Sequence, residues 1–493
     1  MPSVLARGAL LGGLLLACGS PPEGPAPKAP PAPALTEPTA PPATDPGACP
    51  AEAVAPHPMP RTRLEHEQLD YWLARTATVA DLDRALFSPG ELAAFNARLG
   101  RRDIFGASAR ADLLEPVDPA RLADDLNQRL GFLRAKFETG AYVRPDGSPM
   151  PREQIDRLTP TVSAESLRGL PTPEVRVALD LIPIRCAPQS DPYYTPSRDP
   201  AFDRNLCSMA RAQEPLQILR PWDGGLALVR TNYVMGWADL ERAALSPPLD
   251  PQAVRRFQAG PHARAGRTRD GGDLVLVSGQ GPEVPVPFAS LLPIDERTGE
   301  VLVATAGGVV KARPRDPAAL VAPHPLTRRA LLVEAFAYLH TPYGWGDHAG
   351  GRDCSRFLMD MFAGLGLKLP RHTSDQAIAG AEVIDLPPEL PEPERMGRID
   401  AAHRRGAVLL HFPGHIMLYL GRDDAGAPMA IHSFAEYLVP CSGRTDGAPA
   451  GERETLYKVD GVHVSDLELG RGTSRTAFVQ RISKITVLAP PRP

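Results

Sequence analysis

Proline is spread so unevenly along this chain that it decides how much of it can fold. Fifteen of the 57 prolines lie between residues 19 and 60, where large apolar side chains are almost absent. Such a stretch buries too little surface to offset the entropy of ordering it. It reads as an extended tether at ~3.1 Å per residue, or a passive spacer. Folding is therefore expected from about residue 61 onward. With 493 residues in all, 43% of them hydrophobic, the rest is long enough for several domains. The net charge of -4 leaves no basic footprint, so nucleic acid is not an expected partner.

Ahead of the tether, Arg7 precedes a nine-residue apolar run from Ala9 to Ala17, too short to cross a bilayer as a helix. This pattern belongs to an export signal. The run ends Leu15-Leu16-Ala17-Cys18-Gly19. That ending resembles a bacterial lipobox, which implies cleavage before Cys18 and acylation of its thiol. Acyl chains would then anchor the protein in a membrane. The lack of Asp after Cys18 points to the periplasmic face of the outer membrane. The alternative is an ordinary secretory signal with an incidental cysteine. Export also makes disulfides possible. With Cys18 assigned to lipid and Cys354 to chemistry, Cys49, Cys186, Cys207 and Cys441 allow three pairings. Cys186 and Cys207 are closest in sequence and flank a loop rich in Asp, Pro and Tyr. Unpaired buried thiols are the alternative.

Residues 61–160 read as a helical N-terminal segment. Leu64, Leu69, Trp72 and Leu73 fall near one face, Ser88-Pro89-Gly90-Glu91 has the form of a capping box, and Asp118-Pro119 opens a helix carrying Leu122, Leu126, Leu130 and Leu133. From 163 to 312 the pattern changes to short strands separated by Gly, Pro and Asp, among them Val175–Ile184, Leu216–Leu219, Gly225–Arg230, Leu274–Val277 and Val301–Ala304. Strands ending in the Gly236-Trp237 pair are similar to those of a bacterial SH3-like barrel. Two such barrels, 163–240 and 241–312, are expected. The last domain, 326–488, starts with a helix capped by Thr327 and a second after Asp353, followed by strands Ala407–Phe412, His415–Leu420, Ala430–Ser433 and Ile482–Leu488. Helices first and strands after is an α+β order.

Chemistry concentrates in this last domain. A thiol attacks a carbonyl as thiolate, with a base to take its proton and a group to orient that base. Asp353 is a good N-cap, which puts Cys354 in the first helical turn, where the macrodipole favours negative charge on sulfur. His415 opens an alternating strand, and His432 can stand on its neighbour and fix the imidazole tautomer. His411 and His415 have zinc-ligand spacing for a helix, but Pro413-Gly414 lies between them and breaks one. No metal and no cofactor is expected. His403, His411 and His463 are rival triad members, more in keeping with surface or turn positions. Cys354 taken alone is as consistent with a buried structural thiol.

Five pieces in order resemble the NlpC family of cell-wall peptidases: Pro342-Tyr343-Gly344-Trp345-Gly346, Asp353-Cys354-Ser355-Arg356-Phe357, Leu369-Pro370-Arg371-His372-Thr373-Ser374-Asp375-Gln376, Gly414-His415 through Gly421, and Ile431-His432-Ser433. The resemblance implies a papain-like catalytic domain, with Cys354 as nucleophile, His415 as base and His432 as orienter. It also implies hydrolysis of the bond between γ-linked D-glutamate and the L-diamino acid of peptidoglycan stem peptides or muropeptides. Tyr343, Asp353, Ser355 and Thr373 would recognise the peptide, with Asp353 holding a free L-Ala amine. Tyr233 is a candidate to line the cleft from the first barrel. Three departures bear on substrate preference: Arg356 where a small residue is common, Thr373 for Ser, and Asp347 for the second Gly of Trp-Gly-Gly. Rival functions are a non-catalytic wall-binding lipoprotein and an amidase or acyltransferase on the same fold.

Overall fold

The alternation His-Ile-Met-Leu-Tyr-Leu, apolar toward both faces, builds a strand, His415–Arg422, that lies inside a sheet rather than at its edge. In the computed structural model this strand belongs to a seven-stranded sheet. Its spatial order is Glu52–Val54, Glu454–Asp466, Pro428–Pro440, His415–Arg422, Ala407–Phe412, Lys484–Leu488 and Glu382–Asp385. The structure describes residues 50, 52–99, 112–158, 162–167, 174–279, 283–441 and 454–490. The lipobox, Cys18, Cys49 and the tether up to residue 49 lie outside these.

Period two sorts the strand's side chains between two cores. Ile416 and Leu418 join Trp72, Leu331, Phe357, Phe362 and Ile431 on one face, under the helices Leu69–Ala77, Arg328–Ala337 and Cys354–Gly364. Met417 and Tyr419 join Met396, Ile399, Phe434 and Phe478 on the other, under the helix Glu392–His403. This sheet thus has helices on both faces, which fits the predicted α+β class.

The helix starts follow the sequence closely. Thr327 Oγ1 accepts from Ala330 N at 3.0 Å. Ser88 N donates to Glu91 Oε2 at 2.7 Å, while Glu91 N returns to Ser88 Oγ at 3.3 Å, the reciprocal capping box. Asp118 Oδ1 accepts from Ala120 N at 2.8 Å, and Leu122, Leu126, Leu130 and Leu133 are all buried.

Between 174 and 321 the strands form two further sheets. The first runs Glu174–Val177, Pro215–Pro221, Leu226–Arg230, Met235–Asp239, Ile182–Arg185 and Leu206–Ala210; the second contains seven strands. Among the described residues the pairing leaves both sheets open, where the sequence predicts closed SH3-like barrels: Glu174–Val177 pairs only with Pro215–Pro221, and Leu206–Ala210 only with Ile182–Arg185. The expected strand Val175–Ile184 is two strands, because the chain turns between them and Asp180 Oδ1 accepts from Leu181 N. The helix Pro251–Ala259, capped by Asp250, precedes the second sheet. Cys186 and Cys207 form the expected disulfide, and Cys441 is disulfide-bonded as well.

The tether is shorter than its prolines suggest. Glu52–Val54 pairs in parallel with Leu456–Lys458, so order starts before residue 61. Three backbone partners on a sheet edge suffice to hold a segment that has no core of its own. Trp72 then locks the N-terminal segment to the catalytic domain: its ring is fully buried and its Nε1 donates to His66 O at 2.8 Å. Trp72→Ala is expected to lower stability by roughly 3–5 kcal/mol, the range for emptying a large aromatic site. A urea denaturation midpoint reads this directly, and an unchanged midpoint contradicts the packing role.

Candidate active site

Asp353 stands just before the helix Cys354–Gly364 in extended conformation, and its Oδ1 accepts from Arg356 N at 2.8 Å. This cap places Cys354 in the first turn, as the sequence predicts. Cys354 is the free cysteine among the described residues and is buried. The backbone N–H groups of Ile416 and Ser355 favour negative charge on its sulfur. His415 Nε2 lies 2.7 Å from His432 Nδ1, and His432 Nε2 lies 2.8 Å from Ser465 Oγ. His415, His432 and Ser465 thus form one hydrogen-bonded chain, ending in a hydroxyl that no short sequence motif marks. With Nε2 engaged, Nδ1 is the His415 nitrogen left for the thiol. Phe434 stacks on the His432 ring at 4.0 Å between centroids, and Phe478 stacks on His415 at 6.0 Å.

Cys354 and His415 open into a cavity of about 580 Å³. Its lining includes Tyr343, Asp353, Ser355 and Thr373, all four of them sequence candidates for peptide recognition. It also includes Phe202, Arg204, Cys186 and Cys207 from the first small sheet and its loops, and Arg475 and Arg481 from the C-terminal region. Tyr233 is not among the lining residues, contrary to its candidacy. It is buried beneath the Arg356 guanidinium, 4.9 Å from its ring centroid, and its hydroxyl is engaged by Met209 O, Glu214 and Arg356 Nη1. His403 packs on Tyr419, and neither His403, His411 nor His463 lines the cavity.

The residue that sequence reasoning passed over is Arg371. It is 2% exposed and donates to both oxygens of Asp353, at 3.0 and 2.7 Å, to Asp347 Oδ1 at 3.2 Å, to Ser355 Oγ at 2.9 Å and to Ser208 Oγ at 3.0 Å. Asp353 Oδ2 accepts from Gly346 N as well. With Ser355 Oγ also donating to Oδ1 at 2.9 Å and Arg356 N as the cap, five donors already address the Asp353 carboxylate, about as many as its lone pairs can serve. A peptide amine reaching Asp353 would have to share it with Arg371.

Two of the three family departures meet in the same network. Arg356 pairs with Glu214, with Asp360 at 2.6 Å and with Asp347 at 3.5 Å. Asp347 also accepts from Ser208 Oγ at 2.7 Å. Its φ of +70° lies in the left-handed region, which explains why glycine suits this position and why an Asp here needs strong partners. Gly346 beside it cannot change. Its φ is +57°, and a Cβ would sit 2.6 Å from Leu206 O. Burial alone would raise Asp347, but Arg371, Arg356 and Arg211 hold it down at about 2.

The electrostatics of the pair run against the sequence expectation of a lowered thiol pKa. Burial, then the neighbouring Asp353 charge, pushes Cys354 up to about 12, despite the backbone N–H of Ile416 and the Arg371 cation. Burial, then Arg481 and His411, pushes His415 down to about 3, and His432 lies well below its ordinary value for the same first reason. Both shifts favour a neutral thiol beside a neutral imidazole. That pairing suits general-base catalysis rather than a standing ion pair. Alkylation follows the thiolate fraction. Iodoacetamide should therefore label Cys354 ever faster as pH rises past 9, with no plateau below it. A plateau below pH 8 would show a pre-formed thiolate.

Residues 340–439, which hold Cys354, His415 and His432, match the NlpC/P60 family. Over 141 residues, 28% of this chain, the sequence is 30% identical to the gamma-D-glutamyl-L-lysine dipeptidyl-peptidase of Bacillus subtilis (strain 168), and the match spans 45% of that protein's length. The solved structure of an NlpC/P60 endopeptidase from Photobacterium damselae subsp. piscicida is similar in fold. Its TM-score is 0.60 at 15% identity, covering 83% of this chain and 95% of that one.

Proposed function

Because the chain carries an NlpC/P60 family domain at residues 340–439, we propose that it is a cysteine peptidase that hydrolyses peptidoglycan stem peptides between γ-linked D-glutamate and the following L-diamino acid. The observation that carries this reading is that His415, held 2.7 Å from His432, lines the same cavity as the free Cys354 thiol. Cys354 adds to the γ-carbonyl while His415 Nδ1 takes the thiol proton. His415 returns that proton to the departing amine, leaving a thioester that water then hydrolyses. The N–H groups of the first turn that Asp353 leaves uncapped would stabilise the carbonyl oxygen as it becomes an oxyanion.

The cavity also supports the substrate class. A γ-linked glutamate keeps a free α-carboxylate. Arg204, which stacks 4.3 Å over Trp345 and has a buried Nε without a partner, can receive it. Tyr343, Ser355 and Thr373 line the remainder of that end. The preference for a free L-Ala amine is the finer part of the proposal, since Asp353 would bind it only alongside Arg371. The first small sheet and its loops would bound the cleft through Phe202 and Leu206.

Cys354→Ala should abolish release of the diamino-acid fragment from purified stem peptides, and His415→Ala should lower kcat about 10²- to 10⁴-fold. Equal turnover by the Cys354→Ala protein would sink the peptidase reading in favour of wall binding. Product mass spectrometry separates hydrolysis from amidase or acyl-transfer chemistry. We further propose that the chain is exported and lipid-anchored through Cys18. Cys18→Ser is then expected to move it from the membrane to the soluble envelope fraction, and membrane retention by that variant removes the anchor.

A further inference from the structure

A second cluster of chemistry-bearing side chains lies away from the cavity, where the N-terminal arm meets the catalytic domain. Glu67 Oε2 is 2.7 Å from His57 Nε2 and 3.3 Å from His340 Nε2, and Glu67 Oε1 is 3.6 Å from His463 Nδ1. The ligand atoms of His57, Glu67 and His340 all fall within 4.8 Å of one another. The His340 ring lies 5.0 Å from that of His463 and 5.6 Å from that of His57. Four ligands held at 2.0–2.2 Å on a tetrahedral zinc stand roughly 3.4 Å apart, so three of these side chains need only small movements around Glu67 to share one ion.

Independent features mark the cluster as more than a chance meeting of polar groups. His463 Nδ1 is buried and makes no hydrogen bond, although it points at the Glu67 carboxylate. Buried polar atoms are normally satisfied, and one that is not asks for a partner. His340 has φ +62°, a left-handed conformation that favours glycine, yet a histidine occupies it. Backbone bonds hold it there: His340 N donates to Val462 O at 2.8 Å, and Val462 N to Thr341 O at 3.0 Å. Gly461 leaves room for His463, since a Cβ there would lie 3.1 Å from its Nε2. Glu67 and His463 are largely buried, while His57 and His340 are half-exposed, so the site has rigid inner ligands and an open path from solvent.

We propose that His57, Glu67, His340 and His463 bind a divalent cation of the zinc class, and that the ion clips the N-terminal arm to the catalytic sheet. Three imidazoles and one carboxylate suit zinc rather than calcium or magnesium, which prefer all-oxygen sites. The clip joins two ligands from the arm, which also carries the edge strand Glu52–Val54, to one from the loop after helix Arg328–Ala337 and one from the strand Glu454–Asp466. His463 is the cross-strand partner of His432. The ion would therefore also steady the strand pair that holds the catalytic relay.

The test uses full-length protein carrying Cys354→Ser, so that the active-site thiol cannot compete, stripped with chelator and titrated with zinc chloride by calorimetry. One equivalent should bind, and His340→Gly or Glu67→Gln should weaken it at least tenfold. His340→Gly suits the backbone at that position, so a lost site there is not a folding defect; the melting temperature without metal checks this. Zinc should raise the melting temperature of the parent but not of His340→Gly, and should protect the segment 52–67 from limited proteolysis. Cobalt in place of zinc should give the visible bands of a four-coordinate site without a sulfur charge-transfer band. The proposal is overturned if no equivalent binds, or if binding survives His340→Gly and Glu67→Gln unchanged. None of these readouts depends on what peptide the cavity cuts.

Discussion

The cavity depends first on the Arg371 guanidinium. It joins the cap of the Cys354 helix, Asp353, to Asp347 of the Trp345–Gly350 turn and to Ser208 of the first small sheet. Three segments that form three walls of the cleft are thus tied to one buried cation. Removing one partner from a buried pair typically costs about 3–5 kcal/mol, because the other charge is left uncompensated. The arrangement is therefore an all-or-nothing lock rather than a sum of contacts. It also explains why the small sheet approaches the peptidase domain so closely: Gly346, with no side chain, seats against Leu206 O.

The catalytic part of this was legible in the chain because its signals are local. A cap and its helix lie within four residues, and an alternating strand announces which side chains share a face. Cys354, His415 and His432 stand in such short stretches; the structure brings Cys354 and His415 to one cavity and puts His432 behind His415. Asp347 and Arg356 were legible only as departures from a family pattern. Neither one alone hints that they face each other and Arg371, because the pairing crosses from a turn to a helix. Their joint presence now has a physical reason: an Asp in a strained left-handed position is stabilised by two arginines that neutralise it.

What stayed hidden was non-local. The strand Glu454–Asp466 has polar residues among its apolar ones and follows a long Gly- and Pro-containing stretch, so nothing in its own pattern announces a thirteen-residue partner for Pro428–Pro440. Its position decides two things at once, the place of Ser465 behind His432 and that of His463 beside Glu67. The four members of the histidine and glutamate cluster are spread from 57 to 463, and no ligand-spacing rule spans that distance. The small sheets were misread for a related reason: strand positions follow local turn signals, whereas closure into a barrel depends on which distant strand each edge meets.

The raised pKa of Cys354 acquires a purpose from its surroundings. The Cys186–Cys207 disulfide lines the same cavity as the thiol. Disulfide exchange and oxidation both proceed through the thiolate. A standing thiolate in this cavity would face a disulfide and any oxidant admitted with the substrate. Burial and the Asp353 charge instead keep sulfur protonated, and His415, itself kept neutral by burial, is free to accept the proton when a carbonyl arrives. Reactivity is then conditional on a bound substrate that excludes water and offers an electrophile at the sulfur. The same Asp353 that caps the helix and anchors Arg371 thus also disfavours charge on the Cys354 sulfur.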